Sequence, residues 1–255
     1  MSTGNHFLEN TWYVAAWSHE IAADGMLART ITRVPLRFKW VWVWMGDADK
    51  ADPSQIPDTH TLDDAGWRGT PGYLHYAANY LLITDNLLDF SHLSFVHETT
   101  LGGSAKYARI RPKVKRNGRS VRVERWLIDD EPAPFLRNLK TWPGNVDRWN
   151  VYDVVIPGVL LMDSGSAPTG TGAPQGARVD AAQFFGCQAV TPETETTSHY
   201  FFQQSHGFAL DAPMLAMRMD TALASFRDIM EKAIAEERAA PADTNTQGEK
   251  NAELS

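Results

Sequence analysis

Apolar and polar residues alternate with the two-residue period of a half-buried strand over most of this chain, and the pattern turns helical in only two places. Residues 29–38 and 40–45 read as strands, the first through alternation and the second through the aromatic run Trp40, Trp42, Trp44. Gly46-Asp47 and Asp52-Pro53 then open a linker-like stretch rich in Asp and Pro, which ends near Gly72. A short strand from Tyr73 to Ala77 precedes a helical segment that runs on toward His97. Between Ile110 and Ile128 the apolar positions Val114, Val121, Val123, Trp126 and Ile128 are separated by charged residues, and Asn117-Gly118 predicts a hairpin turn between two strands. Further strands are expected at 147–156, 158–164, 181–191 and 197–206, the last two joined through Pro192-Glu193. The Gly- and Pro-rich loop 166–176 lacks the Gly-Lys-Ser/Thr run and the helix start of a phosphate loop. Residues 212–238 place Met214, Leu215, Met219, Leu223, Phe226, Ile229, Met230 and Ile234 on one side of a helix. From Ala239 the composition turns polar and Pro-containing, which predicts a disordered tail. No internal repeat is visible.

Composition narrows the class. A hydrophobic fraction of 43% and a charged fraction of 22% are those of a globular protein, and 255 residues suffice for one large domain or two small ones. A net charge of -7 argues against a nucleic-acid partner, which needs a clustered basic face. Arg109, Arg111, Lys113, Lys115 and Arg116 do cluster, but they alternate with Ile110, Pro112 and Val114 as on the solvent side of a strand; a docking surface is the second reading. The single cysteine, Cys187, forms no intramolecular disulfide and reads as a small buried apolar residue. The start lacks an apolar signal core, and no segment has the apolar length to span a bilayer, so a cytoplasmic protein without a membrane partner is expected.

The candidate chemistry sits in Asn86-Leu87-Leu88-Asp89-Phe90-Ser91-His92-Leu93-Ser94-Phe95-Val96-His97, the pattern N-x2-D-x2-H-x4-H. Two imidazoles with a carboxylate and a carboxamide just upstream are half of what a non-haem Fe(II) site needs, two His and one carboxylate with open positions for O2 and substrate. On an ideal helix a five-residue separation turns the second side chain about 140° from the first. His92 and His97 therefore share a metal only if the helix bends, bulges or ends between them. From these residues alone, hydrogen-bonded core or helix-end histidines remain the other reading.

Four separated stretches carry a resemblance: the Asn86–His92 run, Asn10–Trp17, Trp40–Asp47 and Thr191–Phe202. Together they resemble the oxygenase component of Rieske non-haem iron oxygenases, in the branch of vanillate O-demethylase, dicamba O-demethylase and toluenesulfonate methyl-monooxygenase. The resemblance implies an α+β fold, a helix-grip (START-like) antiparallel sheet around a long helix, with remnants of a β-rich Rieske domain at the N-terminus. It divides the chain into 1–46, strands flanking an absent cluster lobe, a catalytic domain at 47–238, and the tail 239–255. It makes His92 and His97 ligands of a mononuclear Fe(2+). It makes Asp89 the carboxylate that links a neighbouring subunit's cluster histidine to an iron-ligand histidine, with a helix-surface charge as its alternative. Asn86 becomes an amide near the metal, or a helix-surface amide. His199 becomes a pocket histidine bonding the substrate's carboxylate or ether oxygen, or else a satisfied core histidine.

The same resemblance exposes what is missing. A [2Fe-2S] Rieske cluster is held by two Cys and two His, and relatives carry them in C-x-H and C-x2-H pairs between strands that here meet directly at Phe38-Lys39. A second gap falls near His206-Gly207-Phe208, where relatives carry a helix with the carboxylate ligand. Asp211, Asp220 and Asp228 lie nearby without matching the pattern, so none takes that role. Either this is a truncated or degenerate family member, or these are pieces of a longer chain with its cluster lobe and ligand helix left out; the second is the expectation. The implied activity is mono-oxygenation of an aromatic small molecule, by O-demethylation or methyl hydroxylation. The implied partners are O2, an NAD(P)H-dependent flavin and iron–sulfur reductase, and two further copies in a homotrimer. A ring-hydroxylating dioxygenase and a non-catalytic helix-grip binding module are the alternatives.

Overall fold

Strand formation here follows the β-branched and aromatic residues that favour a pleated, buried surface. The computed structural model describes residues 7–21, 40–89 and 106–210. Strands β1 (Thr11–Trp17) and β2 (Trp40–Met45) form an antiparallel ribbon. Next come β3 (Pro71–Tyr76), helix α1 (Tyr80–Leu88) and the single turn α2 (Lys106–Arg109). Six strands follow as a meander: β4 (Lys113–Asn117), β5 (Ser120–Asp130), β6 (Val146–Val155), β7 (Val159–Pro168), β8 (Ala182–Pro192) and β9 (Ser198–His206). The antiparallel sheet has the order β3-β9-β8-β7-β6-β5-β4, so the strand before α1 pairs with the last strand of the meander.

Side-chain alternation divides the core between the two faces of this sheet. On one face Tyr152, Leu160, Val190, Tyr200 and Phe202 pack under Tyr76, Tyr80, Ile83 and Tyr107. On the other, Val159, Cys187, Ala189 and Phe201 pack under the ribbon's Trp12, Trp17, Trp40, Trp42 and Trp44. Burial of one large apolar side chain contributes about 1.5–3 kcal/mol, so five tryptophans hold the ribbon firmly to the sheet. Polar ties fix its position: Thr191 Oγ1 donates to the Val14 carbonyl at 2.6 Å, Trp17 Nε1 to the Gly72 carbonyl at 3.0 Å, and Arg119 Nη2 to Thr11 Oγ1 at 2.9 Å.

The strands expected at 40–45, 147–156, 158–164, 181–191 and 197–206 all form. The hairpin forms too, but Asn117 pairs with Ser120, so its two central residues are Gly118 and Arg119, with Gly118 at φ +57°. β7 runs on to Pro168 because Ser166 and Ala167 still pair with β6, taking three residues from the expected loop. β1 escapes the alternation rule because all seven of its residues are buried. His92, His97, the expected strand at 29–38, the junction Phe38-Lys39, the helix at 212–238 and the tail lie outside the described residues. Among the described residues no helix is long and apolar enough to cross a membrane.

Candidate functional site

Helix α1 is set in place from both ends. At its N-cap the Asn79 side chain accepts from the Leu81 N–H at 2.9 Å and donates to the Glu195 carbonyl at 2.8 Å, pinning the helix to the β8–β9 turn. Tyr80 and Ile83 bury its inner side against the sheet, and Leu87 and Leu88 pack alongside. The helix closes at Leu88, and Asp89 leaves helical backbone at φ -82°, ψ 87°. Two of the expected site residues therefore sit at its C-terminal end: the C-cap Asp89 is exposed, while Asn86 in the last turn directs a buried Oδ1 that has no hydrogen-bond partner among the described residues. A buried amide oxygen left in this way carries a desolvation cost that a donor or a cation would relieve. That orphaned oxygen fits a metal-proximal role for the α1 terminus, six residues before His92. Among the described residues no group of three or more His, Cys, Asp or Glu is placed to hold a metal. An iron–sulfur cluster does not fit them either: Cys187 is alone, buried beside Thr61 Oγ1 at 3.5 Å, and burial pushes its thiol up to about 12.

Below α1 the sheet presents a polar band that the sequence did not announce. Tyr200 Oη donates to Gln188 Oε1 at 2.7 Å, and Gln188 Nε2 donates to Tyr152 Oη at 3.1 Å, all three buried. Burial raises both phenols above their ordinary value, so they stay neutral hydrogen-bonding groups at any physiological pH. Toward β5, Asn150 donates to the buried Tyr107 hydroxyl, and the guanidiniums of Arg125 and Arg148 each lie 5.5 Å from the Tyr107 ring centre. Burial pushes the Tyr107 phenol up to about 12 and lowers Arg148. On this face the apolar side chains Leu160, Val190, Phe202 and Met162 surround these neutral donors and acceptors. The available signal was parity: Gln188 is a polar residue at an inward position of the apolar run Phe184–Val190.

His199 stands elsewhere. In β9 it alternates with Tyr200, so it points to the ribbon face while Tyr200 and Phe202 point toward α1. Its Nδ1 is 2.8 Å from Tyr73 Oη, its Nε2 is 3.9 Å from Glu193 Oε1, and the His75 ring lies 5.4 Å away. Glu193 is bonded to His75 Nε2 at 2.6 Å, and that bond is the main reason its carboxyl titrates below the usual range. The structure thus brings Asn86 and Asp89 together and separates His199 from both by the thickness of the sheet.

The described geometry has counterparts. The family of the vanillate O-demethylase oxygenase C-terminal domain matches residues 76–236, a span that takes in α1, the His92/His97 motif, the meander, and Asp211, Asp220 and Asp228. The chain is 35% identical over 288 aligned positions to the iron–sulfur subunit of a toluene-4-sulfonate monooxygenase system from Comamonas testosteroni, covering 84% of this chain and 83% of that protein. Those 288 positions exceed the 255 residues here, so the relative carries internal residues without a counterpart in this chain. A second such subunit from Comamonas testosteroni is 44% identical, with 76% of this chain and 57% of that protein covered. Among solved structures, dicamba monooxygenase bound to dicamba superposes with a TM-score of 0.66 at 28% identity, over 85% of this chain and 62% of that one.

Proposed function

Since the chain belongs to the vanillate O-demethylase oxygenase C-terminal domain family, we propose that it is the catalytic part of an oxygenase component that mono-oxygenates an aromatic small molecule, by O-demethylation or methyl hydroxylation. The observation that carries this reading is the α1 terminus, where the buried, unpartnered Asn86 Oδ1 stands six residues before His92 within the family match. His92 and His97 would hold a mononuclear iron, which when bound supplies the oxygen chemistry. The chain's own residues do the rest: the apolar side chains Leu160, Met162, Val190 and Phe202 on this face exclude water, and the Tyr152–Gln188–Tyr200 band among them orients a polar substituent. One oxygen atom of O2 enters a methyl C–H bond and the other leaves as water, with two electrons and two protons supplied. On an aryl methyl ether the hemiacetal product then collapses to a phenol and formaldehyde. The chain has no ligand set for a Rieske cluster, so no electron step is assigned to its residues. Its electrons come from an NAD(P)H-dependent flavin and iron–sulfur reductase, and Asp89, exposed at the end of α1, faces a neighbouring copy in a homotrimer.

The test is metal and product analysis on the intact oxygenase. Iron bound by the wild type and lost in His92→Ala and His97→Ala, with formaldehyde released from a methoxyarene, is the expected result. Full iron in both variants, or a cis-diol as the product, would overturn it.

A further inference from the structure

Charge is distributed unevenly over this molecule. Residues 109–119 hold six Lys or Arg and no Asp or Glu, which leaves 18 of the chain's 24 basic residues against all 31 of its acidic ones. The structure gathers the six on one rim. β4 is the terminal strand of the sheet, all five of its residues are exposed, and exposure runs unbroken from Arg111 to Arg119. Lys113 and Lys115 project to one side of the strand, facing Glu124 and Arg122 across the ladder, and Arg116 projects to the other beside the exposed Val114. Glu124 is thus the one carboxylate across from the strip, and Asp153 is taken up by Arg122 at 3.5 Å. The turn at the end of the strip is anchored to the N-terminal ribbon through the Arg119–Thr11 hydrogen bond.

We propose that the β4 edge, from Arg109 to Arg119, is the docking surface for an acidic protein partner, the electron-delivering reductase. The proposal rests on the oxygenase reading, which requires a reductase that meets this component repeatedly and leaves. Complexes of that kind are small and depend on electrostatic steering more than on buried area. In an acidic molecule this dense basic rim concentrates the field that guides an acidic partner, and the exposed edge with Val114 at its centre offers backbone groups and an apolar contact once the partner arrives. Lysines on an edge strand also discourage sheet-to-sheet aggregation. That role needs charge of either sign, whereas docking needs positive charge.

Charge reversal separates the two. Direct binding of the intact oxygenase to the purified reductase of its own system is measured against ionic strength, for wild type and for Arg111→Glu/Lys113→Glu/Lys115→Glu. The expected result is wild-type affinity that weakens steeply with salt, and a variant at least tenfold weaker at low salt, still monodisperse and with unchanged product yield when dithionite replaces the reductase. Equal reductase affinity in the variant would overturn the proposal, as would a wild type that binds heparin as tightly as the reductase. Dithionite-driven turnover reports separately on the oxygenase reading, because a wild type that makes no product there fails on chemistry whatever its binding.

Discussion

Gln188 decides whether two buried phenols can coexist on the inner face, because its carbonyl accepts from Tyr200 and its amide donates to Tyr152. Gln188→Leu keeps the volume roughly and takes the acceptor away from the buried Tyr200 hydroxyl, at a cost of about 1–3 kcal/mol for a buried group left unsatisfied. A domain of this size loses about 2–4 °C of Tm per kcal/mol, so thermal melting should fall by several degrees and the KM for the aromatic substrate should rise. His199 supports the opposite expectation. His199→Gln and Tyr73→Phe break a hydrogen bond on the ribbon face, so each should cost about 1 kcal/mol in stability and leave the substrate KM unchanged. A KM increase in both would instead support the substrate role read from the motif. The adjacent Glu193 gives a pH signature. Its folded pKa is lowered, chiefly by His75, so its contribution is present above the ordinary carboxylate range and is lost as pH falls through the lowered value. Acid melting curves should therefore show a weaker pH dependence in Glu193→Gln than in wild type. Parity explains what the sequence left ambiguous here: a motif names a histidine, and only strand register says which face it serves.

Among the elements, the β3–β9 pairing depends on a residue without a side chain. A Cβ at Gly72 would run into the Phe202 ring, which lies across it, while the Gly72 carbonyl accepts the Trp17 indole that holds the ribbon. Gly72→Val must displace either Phe202 or the strand, an overpacking cost of about 1–3 kcal/mol, and circular dichroism melts of the purified variant should show it. An unchanged melt would mean that the two strands can part there at no cost. Most of the meander was legible because its strands alternate and its turns carry Gly, Asn or Pro. β1 was not, since its buried run Thr11–Trp17 has no polar face to set a period. The register of the hairpin slipped by one residue for a local reason: Gly118, not Asn117, takes the positive φ.

At the scale of the whole molecule the sheet is a platform with two occupied faces, and the iron chemistry is asked of one edge of one face. The described residues bring an orphaned amide oxygen and an exposed carboxylate to that edge; the two histidines follow in sequence, and nothing in their spacing alone decided between a metal site and a helix end. The third ligand and the cluster lobe were not legible for a simpler reason, since no residue here matches their patterns. Metal linkage probes the part that is present. A ligand that binds only the folded state stabilises it by about 2.7 kcal/mol at one hundred times its Kd. Anaerobic addition of ferrous iron to the intact oxygenase should therefore raise the Tm of wild type. It should leave His92→Ala and His97→Ala unmoved, because on the proposed assignment each loses a ligand from a site that needs three. Asp89→Asn should keep the iron-dependent shift, as its side chain is exposed at the end of α1 and on the proposed reading bridges to a neighbouring copy. Loss of the shift in Asp89→Asn would instead make that carboxylate a ligand, and the bridge between subunits would have to be sought in another residue.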